Sequence, residues 1–207
     1  CPFGPASIES HHDHALAVPG VLTAISSVTH QVSATVIACF GDPGLDAARE
    51  IAEGPVLGIA EAGMHAASLV ARTFSIVTTL SRTIGHTRDL VHRYGFSRAC
   101  AGIHACEIPV LELDSPEASA LIGKTCRETL DRDGSDAIVL GCAGMTDLAS
   151  SLSADLGVPV VDGVAAAVKL AEALASLGLG TSRRSEYALP PPKEVTGPFS
   201  VLRTLPE

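Results

Sequence analysis

The chain has 207 residues, a formal net charge of −9, 46% hydrophobic residues, 3% aromatics and no tryptophan. That acidic balance disfavours a nucleic-acid partner, which needs clustered Lys and Arg, and no run of about 20 apolar residues could span a bilayer. A mean hydropathy of +0.33 instead indicates a well-buried globular chain whose core is built from Ala, Val, Leu and Ile.

The opening CPFGPASIES carries no secretory signal pattern. A helix is predicted over 12–31, followed by a strand at 34–39 and a helix at 44–53. The next strand, 55–59, leads to a helix at 61–71. A strand at 74–79 (FSIVTT) and a helix at 83–95 follow. IPVLEL (108–113) reads as a strand before a helix at 115–132. Strands at 137–141 and 158–162 alternate with helices at 145–156 and 163–177. This alternation predicts an α/β fold with parallel sheets. Gly54-Pro55 and Gly157-Val158-Pro159 suit helix C-caps that feed the next strand. From Thr181 onward Pro and charge predominate, which predicts an irregular tail lying on the surface or on a neighbouring subunit.

Two segments duplicate each other. ATVIACFGDPGLDAA (34–48) and DAIVLGCAGMTDLAS (136–150) each place a cysteine after a β-branched run and a glycine two residues beyond it. GPVLGIAEA (54–62) is echoed by GVPVVDGVAAA (157–167). Cys39 and Cys142 are offset by 103 residues, and Pro55 and Pro159 by 104, so the register persists. An internal repeat of this kind predicts two pseudo-symmetric doubly wound halves with a cleft between the C-terminal ends of their strands. The expected division is 1–72 plus about 163–188, then 73–162, then a tail at 189–207. The strand at 74–79 has no counterpart ahead of Cys39. The repeat therefore predicts that an N-terminal strand is missing, within about 30–40 absent residues.

Six cysteines in a chain this long do not resemble the disulfide frameworks of short secreted domains, so free thiols in a cytoplasmic protein are expected. A thiol where a strand gives way to a helix meets main-chain N–H groups and a helix dipole, which favour the thiolate. Two such thiols across a cleft can take a proton from one face of a carbon and return one to the other. The adjoining Phe40, Gly41, Ala143 and Gly144 can supply N–H donors to a carbonyl oxygen on which charge develops.

The segments CFGDPGLDAARE, GIAEAGMHAAS, FSIVTTL, VLGCAGMTDLA and GVPVVDGVAAAVKLAEAL, together with GPASIES (4–10), resemble the hydantoin racemases of the aspartate/glutamate/hydantoin racemase superfamily. The resemblance runs from about residue 4 to 188. It implies a racemase that needs neither cofactor nor metal and acts on 5-monosubstituted hydantoins or allantoin, usually as a homo-oligomer. Cys39 and Cys142 fall on the family's two catalytic cysteine positions. Family members open with a strand and an Asn-Pro-Asn type loop that lines the pocket, a feature not present in this sequence.

Other candidates divide between the pocket and the framework. Thr78 and Thr79 end the strand that opens the second half, where they can either hold substrate or cap a helix. Pro5 and Ser7 border the pocket on the same resemblance. Asp42, Glu61, Asp147 and Asp162 flank the repeated motifs and read as cap or first-turn carboxylates. His11, His12, Asp13 and His14 resemble a metal cluster. Only His11 and His14 share a helical face, so a solvated helix start is the expectation. His65, His86, His92 and His104 read as structural, as do Cys100, Cys106 and Cys126. Lys124 and Lys169 lie away from the motifs, in no Schiff-base setting. Rival readings are a one-cysteine relative of the arylmalonate decarboxylase or maleate isomerase type, an allantoin or acidic amino-acid racemase, and an inactive binding protein. An amino-acid racemase needs cationic or N–H groups for a carboxylate, and no Arg or Lys borders either cysteine motif.

Overall fold

Six parallel strands and seven helices alternate along the chain in a computed structural model that describes residues 1–202. Helix α1 (His11–Val28) starts on Ser10, whose hydroxyl accepts from the Asp13 N–H at 3.1 Å. The Asp13 carboxylate returns the contact by accepting from the Glu9 N–H, so the helix start is closed from both sides. Strand β1 (Thr35–Ile37), helix α2 (Leu45–Ile51) and strand β2 (Val56–Gly58) follow, with β1 and β2 forming a two-stranded parallel sheet. After α3 (Ile59–Val70) come β3 (Phe74–Thr78), α4 (Ile84–Arg93) and β4 (Cys100–Ala105). The chain continues through α5 (Pro116–Asp133), β5 (Ile138–Leu140), α6 (Ala149–Leu156), β6 (Val160–Asp162) and α7 (Gly163–Ser176). The second sheet has the order β4-β3-β5-β6.

All five residues of β3 are buried because the strand lies inside its sheet with helices on both faces. Phe74 and Ile76 join Val139 and the α3 residues Met64 and Ala67 on one face. Val77 joins Ile138, Leu140 and the α5 residues Ile122 and Cys126 on the other. A third cluster packs Ile25 of α1 against Ile37, Leu45, Ala48 and Val56. Each branched side chain buried in this way contributes about 1.5–3 kcal/mol.

Helices α3 and α7 occupy equivalent places in the repeat and pack on each other. A Cβ on Gly163 would run into the Ile59 carbonyl, and one on Gly63 would stand 3.2 Å from Val139 Cγ1. Two glycines thus allow a main-chain approach that a low-aromatic core uses in place of large rings. Helix α7 also lies against β1 and β2.

One predicted strand is wrong. IPVLEL is not a strand: residues 110–112 form a short 3-10 turn, and the strand is CAGIHA (100–105), eight residues earlier. β-branched content favoured IPVLEL, but its apolar side chains are spent elsewhere. Ile108 and Leu113 fill the core beneath the loop, whereas Leu111 is exposed. CAGIHA is weak by propensity and holds its place by pairing with β3 and by a polar cluster. His104 Nε2 and the Ser75 hydroxyl both reach Asp133 Oδ2, at 2.8 and 2.6 Å. A side chain at residue 102 would collide with that carboxylate, which accounts for the glycine.

The start of the predicted tail contacts the first sheet's helix. Arg183 donates to the carbonyls of Arg49, Glu50 and Ala52 at the end of α2, and the Tyr187 hydroxyl donates to Asp46 at 3.1 Å. Residues 203–207 of the predicted tail lie outside the described residues. Among the described residues no helix is long and apolar enough to cross a membrane.

Candidate active site

Strands β1, β3 and β5 end around one cavity of about 390 Å³. Cys39 lies two residues beyond β1 and Cys142 two beyond β5, and both line it. Each cysteine opens a tight turn: the Asp42 N–H donates to the Cys39 carbonyl at 2.9 Å, and the Met145 N–H to the Cys142 carbonyl at 3.1 Å. The repeat seen in the sequence is therefore also a repeat of the turn-closing hydrogen bond, although Asp42 is left-handed and its counterpart Met145 is not. Phe40 and Gly41 occupy the middle of the first turn, Ala143 and Gly144 the middle of the second, and all four line the cavity. Pro5, Ser7, Thr78 and Thr79 line it as well. Thr78 has little hydroxyl to spare for a ligand. Its Oγ1 meets Thr83 Oγ1 at 3.1 Å and the Gly141 carbonyl at 3.4 Å, fastening β3 to β5.

The electrostatics depart from expectation. Neither thiol abuts an α-helix N-terminus, since α2 begins six residues after Cys39 and Cys142 leads into the 3-10 helix Ala143–Leu148. Burial dominates instead. It pushes Cys39 up to about 11, against a downward pull from the Gly41 N–H and a further rise from the nearby Cys142 and Asp42 charges. Cys142 is also raised, again mainly by burial, with the Gly144 N–H lowering it and Cys106 and Glu9 raising it. Each sulfur thus has one glycine N–H as its main-chain support, and each acts on the potential of a shared cavity.

Sequence reasoning missed several members of the lining. His14 and His86, read as a helix-surface residue and a structural one, both face the cavity, with their Nε2 atoms 3.1 and 3.0 Å from the Gly41 carbonyl. Their rings pack edge-on at 4.9 Å, and His11 stands 6.0 Å from His86. A helical-face argument within α1 cannot reveal a partner on α4, so no local signal marked this contact. Among the described residues no group of three or more His, Cys, Asp or Glu side chains could hold a metal. Arg82 also lines the cavity, although it is remote in sequence from both cysteines. Glu9 lines it too, with one oxygen accepting from the Val110 N–H at 2.7 Å.

The flanking carboxylates are structural. Asp162 caps α7, accepting from the Val164 and Ala165 N–H groups and from the Thr146 hydroxyl. Asp42 caps α3 from a different loop, accepting from the Ala60 and Glu61 N–H groups and the Tyr94 hydroxyl. Burial raises Asp42 to about 6. That is still below neutrality, so at pH 7 these donors meet a carboxylate. Glu61 pairs with Arg49, and Asp147 is exposed. Cys106 and Cys126 are buried in the α5-side core and Cys100 is half-buried.

Residues 1–171 match the family model of Asp/Glu/hydantoin racemases. The chain belongs to that family. It is 48% identical over 196 residues to a hydantoin racemase of Rhizobium meliloti, a match covering 93% of this chain and 81% of that protein. It is 43% identical to one from Paenarthrobacter aurescens, covering 92% and 83%. Among solved structures, allantoin racemase from Klebsiella pneumoniae superposes with a TM-score of 0.96 at 52% identity, over 99% of this chain and 85% of that one. Glutamate racemase from Bacillus anthracis, at 22% identity and a TM-score of 0.60, shares the fold. The chain is accordingly an isomerase of the racemase class, and the cavity is its candidate active site.

Proposed function

We propose that this racemase interconverts the enantiomers of 5-monosubstituted hydantoins by proton transfer between Cys39 and Cys142. The observation that carries the reading is the duplicated turn: two cysteines, each with a glycine N–H at its sulfur, on the wall of one small cavity. The C5 hydrogen of a hydantoin lies next to a carbonyl. One cysteine, as thiolate, takes that proton and becomes a thiol, while the C–H electron pair moves toward the carbonyl oxygen. Main-chain N–H groups of the cavity-lining Phe40 and Ala143 stabilise the oxygen as charge builds. The other cysteine, as thiol, returns a proton to the opposite face and is left as thiolate. The enzyme then holds the protonation state needed for the reverse reaction, so every proton is carried by the chain's own groups.

Allantoin, whose ring is itself a hydantoin, is a second substrate on this reading. The allantoin racemase neighbours, at 52% and 36% identity, favour including it. Circular dichroism of single enantiomers of allantoin and of hydantoins with alkyl and aromatic C5 substituents tests the assignment. Loss of optical activity without loss of mass is expected. An enzyme inert toward the whole panel would overturn it.

The raised thiols fix the pH response. The free enzyme must hold one thiolate, and both cysteines lie above the ordinary thiol value of 9.0, Cys39 at about 11. Below those values each unit of pH raises the thiolate fraction about tenfold. kcat/KM should therefore climb from pH 7 through pH 9, measured by initial rates of optical change. A bell centred near pH 7 would contradict it.

A further inference from the structure

The two repeated turns share a closing hydrogen bond and differ in what holds them. Against Gly144 lies an apolar side chain: a Cβ there would stand 2.8 Å from Leu113 Cδ1. Against Gly41 lie two imidazoles, and a Cβ there would stand 3.1 Å from His14 Cδ2 and 3.4 Å from His86 Nε2. A carbonyl oxygen only accepts, so both Nε2 atoms must carry hydrogen, and they fill both lone pairs of the Gly41 oxygen. His14 is lowered by burial first and by the neighbouring His86 and His11 charges. It is thus a neutral Nε2–H donor at pH 7. One histidine comes from α1 and the other from α4, so the contact ties both helices to the turn that carries Cys39.

We propose that His14 and His86 are positioning residues for Cys39 alone: by clamping the Gly41 carbonyl they keep closed the turn in which the Gly41 N–H meets the Cys39 sulfur. The clamped Gly41 carbonyl shares its peptide unit with the Asp42 N–H, which closes the turn on the Cys39 carbonyl. Rotation of that unit would take its oxygen off the imidazoles and the Asp42 N–H off the Cys39 carbonyl together, opening the turn in which the Gly41 N–H, on the preceding peptide unit, meets the sulfur. Other groups act on this sulfur as well, namely the Cys142 thiol and the Asp42 carboxylate, both of which oppose its ionisation. The second turn is restrained differently, with the Thr146 hydroxyl on the Ala143 carbonyl at 2.8 Å. Two sulfurs that look equivalent in the sequence are thereby set by unlike means.

The proposal rests on the two-cysteine reading for its catalytic consequence, but not for its chemical one, and the test separates the two. Alkylation of each cysteine by iodoacetamide is followed by peptide mass spectrometry as a function of pH, in the intact chain and in His14→Phe, His86→Phe, His86→Asn and His86→Gln. Glutamine places an amide N–H near the reach of Nε2, whereas asparagine falls short. The Phe and Asn variants should raise the alkylation midpoint of Cys39 and leave that of Cys142 in place, and Gln should restore the Cys39 value. A loosened or partly unfolded chain would move both thiols together, an outcome that overturns the proposal, as would no movement of Cys39.

Solvent deuterium exchange at C5 reads the same effect in catalysis. In a Cys142→Ser background, His86→Phe should slow exchange at the remaining Cys39 about 10- to 100-fold. In a Cys39→Ser background the loss should be at least about tenfold smaller, limited to what the altered cavity wall costs both thiols alike, and equal losses in the two backgrounds would overturn the clamp. Absence of exchange in every background would sink the hydantoin reading, while the alkylation midpoints still decide the clamp.

Discussion

Cys39→Ser and Cys142→Ser should each abolish racemisation while leaving half of the chemistry intact. A serine hydroxyl is far too weak an acid to replace a thiol at either post, so turnover should fall by at least about 10²–10⁴-fold, the usual contribution of a positioned acid or base. The surviving cysteine still reaches one face of C5. It can take the proton of one enantiomer and, after the thiol exchanges with solvent, return deuterium to the same face. Each variant should therefore wash out the C5 hydrogen of one hand, seen by proton NMR in D2O, and the two should prefer opposite hands. Racemisation at the normal rate in either variant would show that a single base suffices. Exchange of both hands by one variant would show that the remaining thiol reaches both faces.

That prediction depends on features that were legible at very different depths. The two turns were legible because they are local: a β-branched run, a cysteine and a glycine at fixed offsets dictate a strand end and a tight turn wherever they occur. Positions 40, 41, 143 and 144 follow from the cysteines by adjacency. Thr78 and Thr79 follow from the strand that separates them. Placement of IPVLEL failed because its apolar side chains serve a loop over the core, while the true strand is stabilised by Asp133, 28 residues after Ala105. His14 and His86 were illegible because their contact joins α1 to α4 through a carbonyl oxygen, a partner with no side-chain identity. The sign of the thiol shift was missed for a related reason. A strand-to-helix junction suggests a helix dipole, but the helix begins too late and burial decides the balance.

The repeat also breaks at its helix caps, and there the second large effect is expected. Gly58 and Asp162 are equivalent positions, each the residue ahead of the helix that follows the second strand of its repeat. Asp162 caps its own helix. Gly58 has no side chain, and a Cβ placed on it falls directly on the Asp42 carboxyl group. The same carboxylate site is thus filled in both halves, once by the cap residue and once from the cysteine turn. Asp42 accepts the strain of a left-handed backbone, φ 44°, to do so. Asp42→Gly should relieve that strain but strip the α3 N-terminus and Tyr94 of their acceptor, a loss of about 2–4 kcal/mol and about 5–15 °C in Tm for a chain this size. Gly58→Asp should be at least as harmful, because it drives a second carboxylate into an occupied site. The pair Asp42→Gly with Gly58→Asp recreates the arrangement of the second half and should be more stable than either single variant, by calorimetry or urea titration. Such strong non-additivity is the signature of two residues competing for one place. If the two losses simply add, Asp42 is not standing in for the missing side chain, and the cap on α3 has some other origin.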